Sequence, residues 1–240
     1  MSATQRHAKE AAGRAAAALV QPGMAVGLGT GSTVHWSIVA LGERGQELNL
    51  TCVATSTGTL ELATSLGLRV VTPDEAGRLD LTIDGADEVD PSANLTKGGG
   101  GAHTREKIVA AMATRFVVVV DHTKLVEALG PFGTPLEVLD FAPETVARAV
   151  LSLGAERVER LDARSDNGNT LLRAYFGPIA EPAALAAALA AVPGIVEHGI
   201  FLGSTVDDVF VAGTDGVQHR PGGRSADRRG GGPIPEVLKR

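Results

Sequence analysis

The chain lacks the features that would tie it to an oxidising compartment, a membrane or a resident metal. It has one cysteine, Cys52, set in an apolar run. No disulfide framework is possible, and a reducing compartment is expected. No apolar run approaches the roughly 18 residues that a spanning helix needs. Near the N-terminus Arg6, Lys9 and Arg14 precede a short apolar stretch that is broken at Pro22-Gly23. That basic helical face stands where a signal peptide would be apolar. The expectation is a soluble, cytoplasmic protein with no membrane partner. The six histidines show no ligand spacing. Positive charge is also scarce over most of the chain. The net charge is -6, although the last 22 residues carry six Lys/Arg against only Asp227 and Glu236. The remainder is therefore more acidic still, and a body of that charge repels nucleic acid. An anionic ligand would need a locally positive site, which points to a small molecule held by a few placed donors.

What is present is a core. Hydrophobic residues make up 44% of 240 positions, enough for one large domain or two modest ones. Short β-branched runs predict strands at 24–28, 50–54, 69–72, 80–83 and 116–120, with helices at about 4–20, 33–42, 58–66 and 102–114. Runs apolar on both faces suit central parallel strands, and their alternation with helices predicts a doubly wound α/β sheet. Residues 131–204 read differently, as strand 136–139, helix 143–153, strands 156–161 and 170–176 around the turn 165–169, helix 182–191 and strand 195–202. That β-α-β-β-α-β order is ferredoxin-like. A further strand at 208–212 is expected to return to the large sheet. The predicted organisation is a Rossmann-like catalytic domain of residues 1–130 plus 205–218, a smaller ferredoxin-like α+β domain of 131–204, and a disordered basic tail of 219–240.

Ligands of such sheets sit beyond the carboxyl ends of the strands, and the unusual segments lie there. Gly27-Leu28-Gly29-Thr30-Gly31-Ser32-Thr33 joins the first strand to a helix. Its glycines allow close backbone approach, the helix N-terminus favours an anion, and three hydroxyls suit a phosphate. A dinucleotide fingerprint fails at Ser32, and a Walker loop fails for want of its Lys. The plain alternative is a turn with Ser32 or Thr33 as N-cap. Asp84-Gly85-Ala86-Asp87-Glu88 ends a buried strand. These acids could be solvated turn formers, handlers of hydroxyl protons, or metal ligands. The last is disfavoured by the absence of nearby His or Cys and of calcium-loop spacing.

The most specific stretch is Lys97-Gly98-Gly99-Gly100-Gly101-Ala102-His103-Thr104-Arg105-Glu106-Lys107. Four successive glycines at a helix mouth are costly in backbone entropy. Glu106 falls in the first turn of that helix. A carboxylate base near a cation that can neutralise an oxyanion is what proton transfer beside a carbonyl requires. Read alone, a first-turn Glu is simply good helix chemistry, and Lys9 and Lys124 would be surface lysines. Ser32 has no evident His–Asp partner for a hydrolase triad.

Taken together, "GLGTGSTV", "LTIDGADEVD", "LTKGGGGAHTREKIVA", "VVVVDHTKLVEALG" and "SDNGN…PGIVEHGIFLG" resemble, in order and spacing, the type A ribose-5-phosphate isomerases. The resemblance runs from about Lys9 to Val217. It implies a cofactor-free, metal-independent aldose-ketose isomerase of the non-oxidative pentose phosphate pathway, acting as a homodimer or homotetramer on a sugar phosphate. Glu106 matches the general base. Asp84, Asp87 and Lys97 match groups that assist ring opening and stabilise the intermediate. Lys9, Thr30, Gly31, Ser32, Thr33, Gly85, Ala86, Gly98, Gly99, Gly100 and Lys124 match substrate-binding positions, with Asp84, Asp87 and Lys97 again among them. Two features depart from the pattern: His103 stands where an apolar residue is expected, and the chain beyond Val217 is extra. Rival readings are a sugar-phosphate sensor, which would lack a positioned base, and a deaminase or acyl transferase on a related sheet.

Overall fold

The computed structural model describes residues 3–213 and 216–224. By packing, the chain divides into two units. One comprises the chain up to Gly85, Ile108–Thr123 and the chain from Ser204; the other comprises Ala86–Lys107 and Lys124–Gly203. The sequence had placed 86–107 and 124–130 with the first unit.

The first unit is built on a six-stranded sheet. Its strands are β1 (Ala25–Leu28), β2 (Thr51–Ala54), β3 (Leu79–Asp84), β6 (Ala113–Asp121), β12 (Asp208–Gly213) and β13 (Gly216–Pro221), in the order β13-β12-β6-β3-β1-β2. All neighbours are parallel except β12 and β13. On one face Ala12 and Ala16 of α1 (Ala3–Ala17), Ile38 and Leu41 of α2 (Val34–Arg44) and Ala63 of α3 (Thr57–Ser65) pack with Val117, Val119 and Phe210. On the other face Val109 of α5 (His103–Met112) packs with Val53, Leu79 and Ala113, joined by Ala76 of the short α4 (Pro73–Ala76). With helices on both faces the strands must be apolar on both sides, and the run Phe116–Val120 is wholly buried.

The second unit carries β7 (Thr134–Val138), α6 (Pro143–Ser152), β8 (Arg157–Arg164), β9 (Thr170–Tyr175), α7 (Pro182–Ala190) and β10 (Ile195–His198). Its sheet is antiparallel, in the order β10-β7-β9-β8, which is the ferredoxin-like arrangement read from the sequence. Leu136, Val138, Val146, Val150, Leu172 and Leu189 form its core. Pro143 and Pro182 open the two helices, where a missing amide hydrogen costs nothing. A small three-stranded sheet, β11-β5-β4, joins β4 (Glu88–Val89), β5 (Leu95–Thr96) and β11 (Ile200–Phe201); nothing in the sequence suggested it.

Four expectations change. The strand at 69–72 reduces to one bridge, Val70 to Cys52, because Thr72 is taken as the N-cap of α4 with Glu75 closing a capping box. Helix α5 stops at Met112 and β6 begins at Ala113, since Ala113 already pairs with Leu79. The single strand at 195–202 is two, split at Gly199, where a Cβ would lie 2.1 Å from the Lys97 carbonyl oxygen. Residues 219–221, assigned to a disordered tail, belong to the edge strand β13. The basic composition hid them because their partner is the facing strand: His219 Nε2 lies 2.6 Å from Asp208 Oδ1, and just beyond β13 Arg224 Nη1 lies 3.4 Å from Asp207 Oδ2. The rest of that assignment, 225–240, lies outside the described residues.

Candidate active site

In the first unit the segment after β1 curls against Asp84, the last residue of β3. Asp84 is fully buried. Its Oδ1 accepts from the Thr30 amide at 3.2 Å and the Gly85 amide at 2.7 Å. Glycine is required at position 29 because a Cβ there would stand 2.1 Å from that same oxygen. The N-cap alternative fails for Thr33, whose side chain makes no capping bond to α2. Ser32 is exposed and accepts from Lys9 Nζ at 2.9 Å, and Lys9 also lies 3.7 Å from Asp121 Oδ2. The Ser32 hydroxyl and the Lys9 ammonium thus meet next to the exposed Gly31.

A cluster the sequence left without a role surrounds Thr30. Its hydroxyl lies 2.8 Å from those of Thr55 and Ser56, and Thr59 Oγ1 donates to the Gly29 carbonyl at 2.9 Å. Ser56 is also the N-cap of α3. The available signal was the hydroxyl run at the end of β2. Gly29, Thr30, Gly31, His35, Ser56 and Thr59 line a cavity of about 180 Å³.

In the second unit the glycine run folds as a tight turn, in which the Gly101 amide donates to the Gly98 carbonyl at 2.9 Å. Asp87, half-buried, accepts from the Gly99 amide at 2.7 Å. Beyond the turn α5 brings Glu106 Oε2 to 3.2 Å from Lys97 Nζ, with side chains only 5% and 2% exposed. The Lys97 ammonium also sits over the Phe201 ring at 5.4 Å, a cation–π contact that no local pattern announced. The Lys97 amide donates to the Gly199 carbonyl at 2.8 Å, so the break between β10 and β11 is what admits the lysine backbone. Gly98 is buried, Gly99 and Gly100 are exposed, and Ala86 is half-buried. Lys124 ends the turn His122–Lys124 and is half-exposed.

Glu88 proves structural. Its carboxylate accepts from Thr96 Oγ1 and from the amides of Gly130 and Phe132 at 2.7–3.0 Å. His103, the departure noted above, is wholly buried with Nε2 at 3.2 Å from the Glu197 carbonyl. Burial pushes its imidazole down to about 4, so it is neutral at physiological pH. Among the described residues no group of three or more His, Cys, Asp or Glu side chains is placed to hold a metal ion. No helix among them is long and apolar enough to cross a membrane.

The family model for ribose 5-phosphate isomerase A (phosphoriboisomerase A) matches residues 51–216. The chain belongs to the ribose 5-phosphate isomerase A family. The ribose-5-phosphate isomerase A of Chloroflexus aurantiacus is 48% identical over 229 residues, covering 91% of this chain and 95% of that one. Among solved structures, ribose 5-phosphate isomerase A from Methanocaldococcus jannaschii superposes with a TM-score of 0.84 at 38% identity, over 90% of this chain and 98% of the other. A D-ribose-5-phosphate isomerase in complex with phospho-erythronic acid superposes with a TM-score of 0.86 at 34% identity, with the same coverage. Membership makes this chain an isomerase of Rossmann-like fold with a second, antiparallel α+β unit.

Proposed function

We propose that the chain interconverts ribose 5-phosphate and ribulose 5-phosphate through an enediolate, with Glu106 as the base. The observation that carries this reading is the buried Lys97–Glu106 pair at 3.2 Å beside the glycine turn. A carboxylate shielded from water and faced by a cation can take a carbon-bound proton while the cation meets the charge that develops on the neighbouring oxygen. Asp84, alone or with Lys97, opens the furanose ring. Glu106 removes the proton from carbon 2 of the aldose and returns it to carbon 1. Asp87 or Lys97 supports proton exchange between the two oxygens, and the amides of Gly98, Gly99 and Gly100 help hold the enediolate oxygen. Thr30, Gly31, Ser32, Thr33, Lys9 and Lys124 bind the phosphate end, with Gly85 and Ala86 against the sugar. The reaction needs no metal. It belongs to the non-oxidative pentose phosphate branch in the cytoplasm, carried out by a homodimer or homotetramer. The relative's complex with phospho-erythronic acid and the motifs at this chain's strand ends support the substrate class.

The test is a coupled assay of pure protein with ribose 5-phosphate, before and after dialysis against a strong chelator. Turnover should survive the chelator. Glu106→Gln should cut kcat about 10²-fold or more with KM within a few-fold, and solvent deuterium should cease to enter carbon 2. Near-normal turnover in Glu106→Gln, alongside its abolition in Asp84→Asn or Asp87→Asn, would show the base to be misassigned.

A further inference from the structure

We propose that Glu137 is a positioning residue for the reaction, setting Glu106 through Thr104. The inference rests on the reading of Glu106 as the base. Glu137 lies within β7 and is fully buried. It makes no salt bridge among the described residues; neutral donors surround it instead. Ser165 Oγ at 2.8 Å, Asn169 Nδ2 at 2.7 Å and Asn167 Nδ2 at 3.1 Å reach Oε1, and Thr104 Oγ1 reaches Oε2 at 2.5 Å. A buried carboxylate without a cation is expensive unless its lone pairs are filled. Burial raises its pKa, but the hydroxyl and amide donors outweigh that and hold it below the usual carboxylate range, so it stays a charged, four-way acceptor.

Three of those donors belong to one turn, Ser165–Asn169, and would serve to fold that turn alone. Thr104 does not belong to it. It lies in the first turn of α5, two residues before Glu106, and its neighbours are held in the same manner. Arg105 donates to Asn167 Oδ1 and the Asp166 carbonyl, both at 2.7 Å. Lys107 donates to Glu197 Oε1 at 2.7 Å and the His198 carbonyl at 2.6 Å. His103 Nε2 meets the Glu197 carbonyl. His103, Thr104, Arg105 and Lys107 are thereby pinned by their side chains to the strands and turn of the antiparallel sheet. Glu106 is left to face Lys97. The α+β unit is the jig in which the base is clamped, with Glu137 as its central peg. A displacement of about 1 Å at a reacting group can cost about 10²-fold in rate, so small slack at this peg should be visible in kcat.

Glu137→Gln, which puts N–H donors against donors, and Thr104→Val, which deletes only the bond reaching the helix, should each lower kcat about tenfold with KM within twofold. Val150→Ala, in the core of the same unit, is the control for lost stability. It should lower the unfolding midpoint without changing kcat at 25 °C. In a Glu106→Gln background Thr104→Val should not lower the residual rate further. The proposal falls if Thr104→Val keeps wild-type kcat, if its loss appears in KM, or if Val150→Ala matches its loss of kcat. Should Glu106→Gln itself retain turnover, the assignment of the base falls instead, so the two failures are distinct.

Discussion

The Lys97 ammonium stands 3.2 Å from the Glu106 carboxylate, and water reaches almost none of either. Breaking a buried pair by removing one partner typically costs about 3–5 kcal/mol, because the other charge is left uncompensated. Lys97→Met should therefore lower the unfolding free energy by about that amount, read by urea titration. Adding Glu106→Gln to Lys97→Met should restore part of the loss. Additive destabilisation would show that the two charges do not support each other.

Gly29 is held to hydrogen by Asp84, whose Oδ1 would lie 2.1 Å from a Cβ at that position. In Gly29→Ala either the loop or the carboxylate must move. A fall in kcat/KM of about 10²-fold is expected, together with a folded circular-dichroism spectrum. An alanine variant at wild-type rate would show that Asp84 can be displaced without consequence.

His103 confers an acid sensitivity on the fold. Its folded value of about 4 lies below the 6.5 of a free imidazole, so the unfolded chain binds the proton more readily. The stability this ring contributes is complete above about pH 6.5 and is lost as pH falls toward 4, at about 1.4 kcal/mol per pH unit. His198, also lowered to about 4 by burial, acts in the same direction. Urea midpoints at pH 7.5 and 5.0 should differ markedly in the wild type and less in His103→Leu. Equal slopes in the two proteins would exclude the ring as the source.

The strand β13 sets where the chain may be shortened. Ending it at Gln218 removes His219, with its 2.6 Å bond to Asp208 and its ring 5.0 Å from Phe210, and Arg224 with its link to Asp207. That version should be less stable than one ending at Arg224 by about 1.5–3 kcal/mol, the scale of a charged hydrogen bond. Matching melting curves would show the second half of β13 to be dispensable.

The layers of both units and the strand-end motifs were legible because they are local. Four consecutive valines in β6, prolines opening α6 and α7, and glycines clustered where strands stop are each written in a short window. Glu106 and Lys97 could be named for the same reason, lying on either side of one glycine run. What escaped depends on partners far along the chain. The two-residue strands β4, β5 and β11 are too short to show a period, and with them the membership of 86–107 in the second unit was lost. Phe201 beneath Lys97 and Glu137 beneath Thr104 carry no local signature, and the hydroxyl run that follows β2 does not reveal that it gathers around Thr30. The split at Gly199 was hidden because Ile195-Val196 and Ile200-Phe201 read as the two ends of one strand, and only the approach of the Lys97 backbone divides them.

The antiparallel turn-back of β13 also governs how copies of the chain behave toward one another in a crowded solution. Its neighbour β12 carries an apolar run, Val209–Ala212, with every one of those residues buried. Left bare, such a strand offers a row of unpaired amides and carbonyls on which another chain can add a strand and then another. The covering strand is mostly exposed, carries His219 and Arg220, and ends in Pro221, which has no amide hydrogen to offer. A parallel sheet that would otherwise invite filament growth is closed by six poorly templating residues, three of them polar and one a proline.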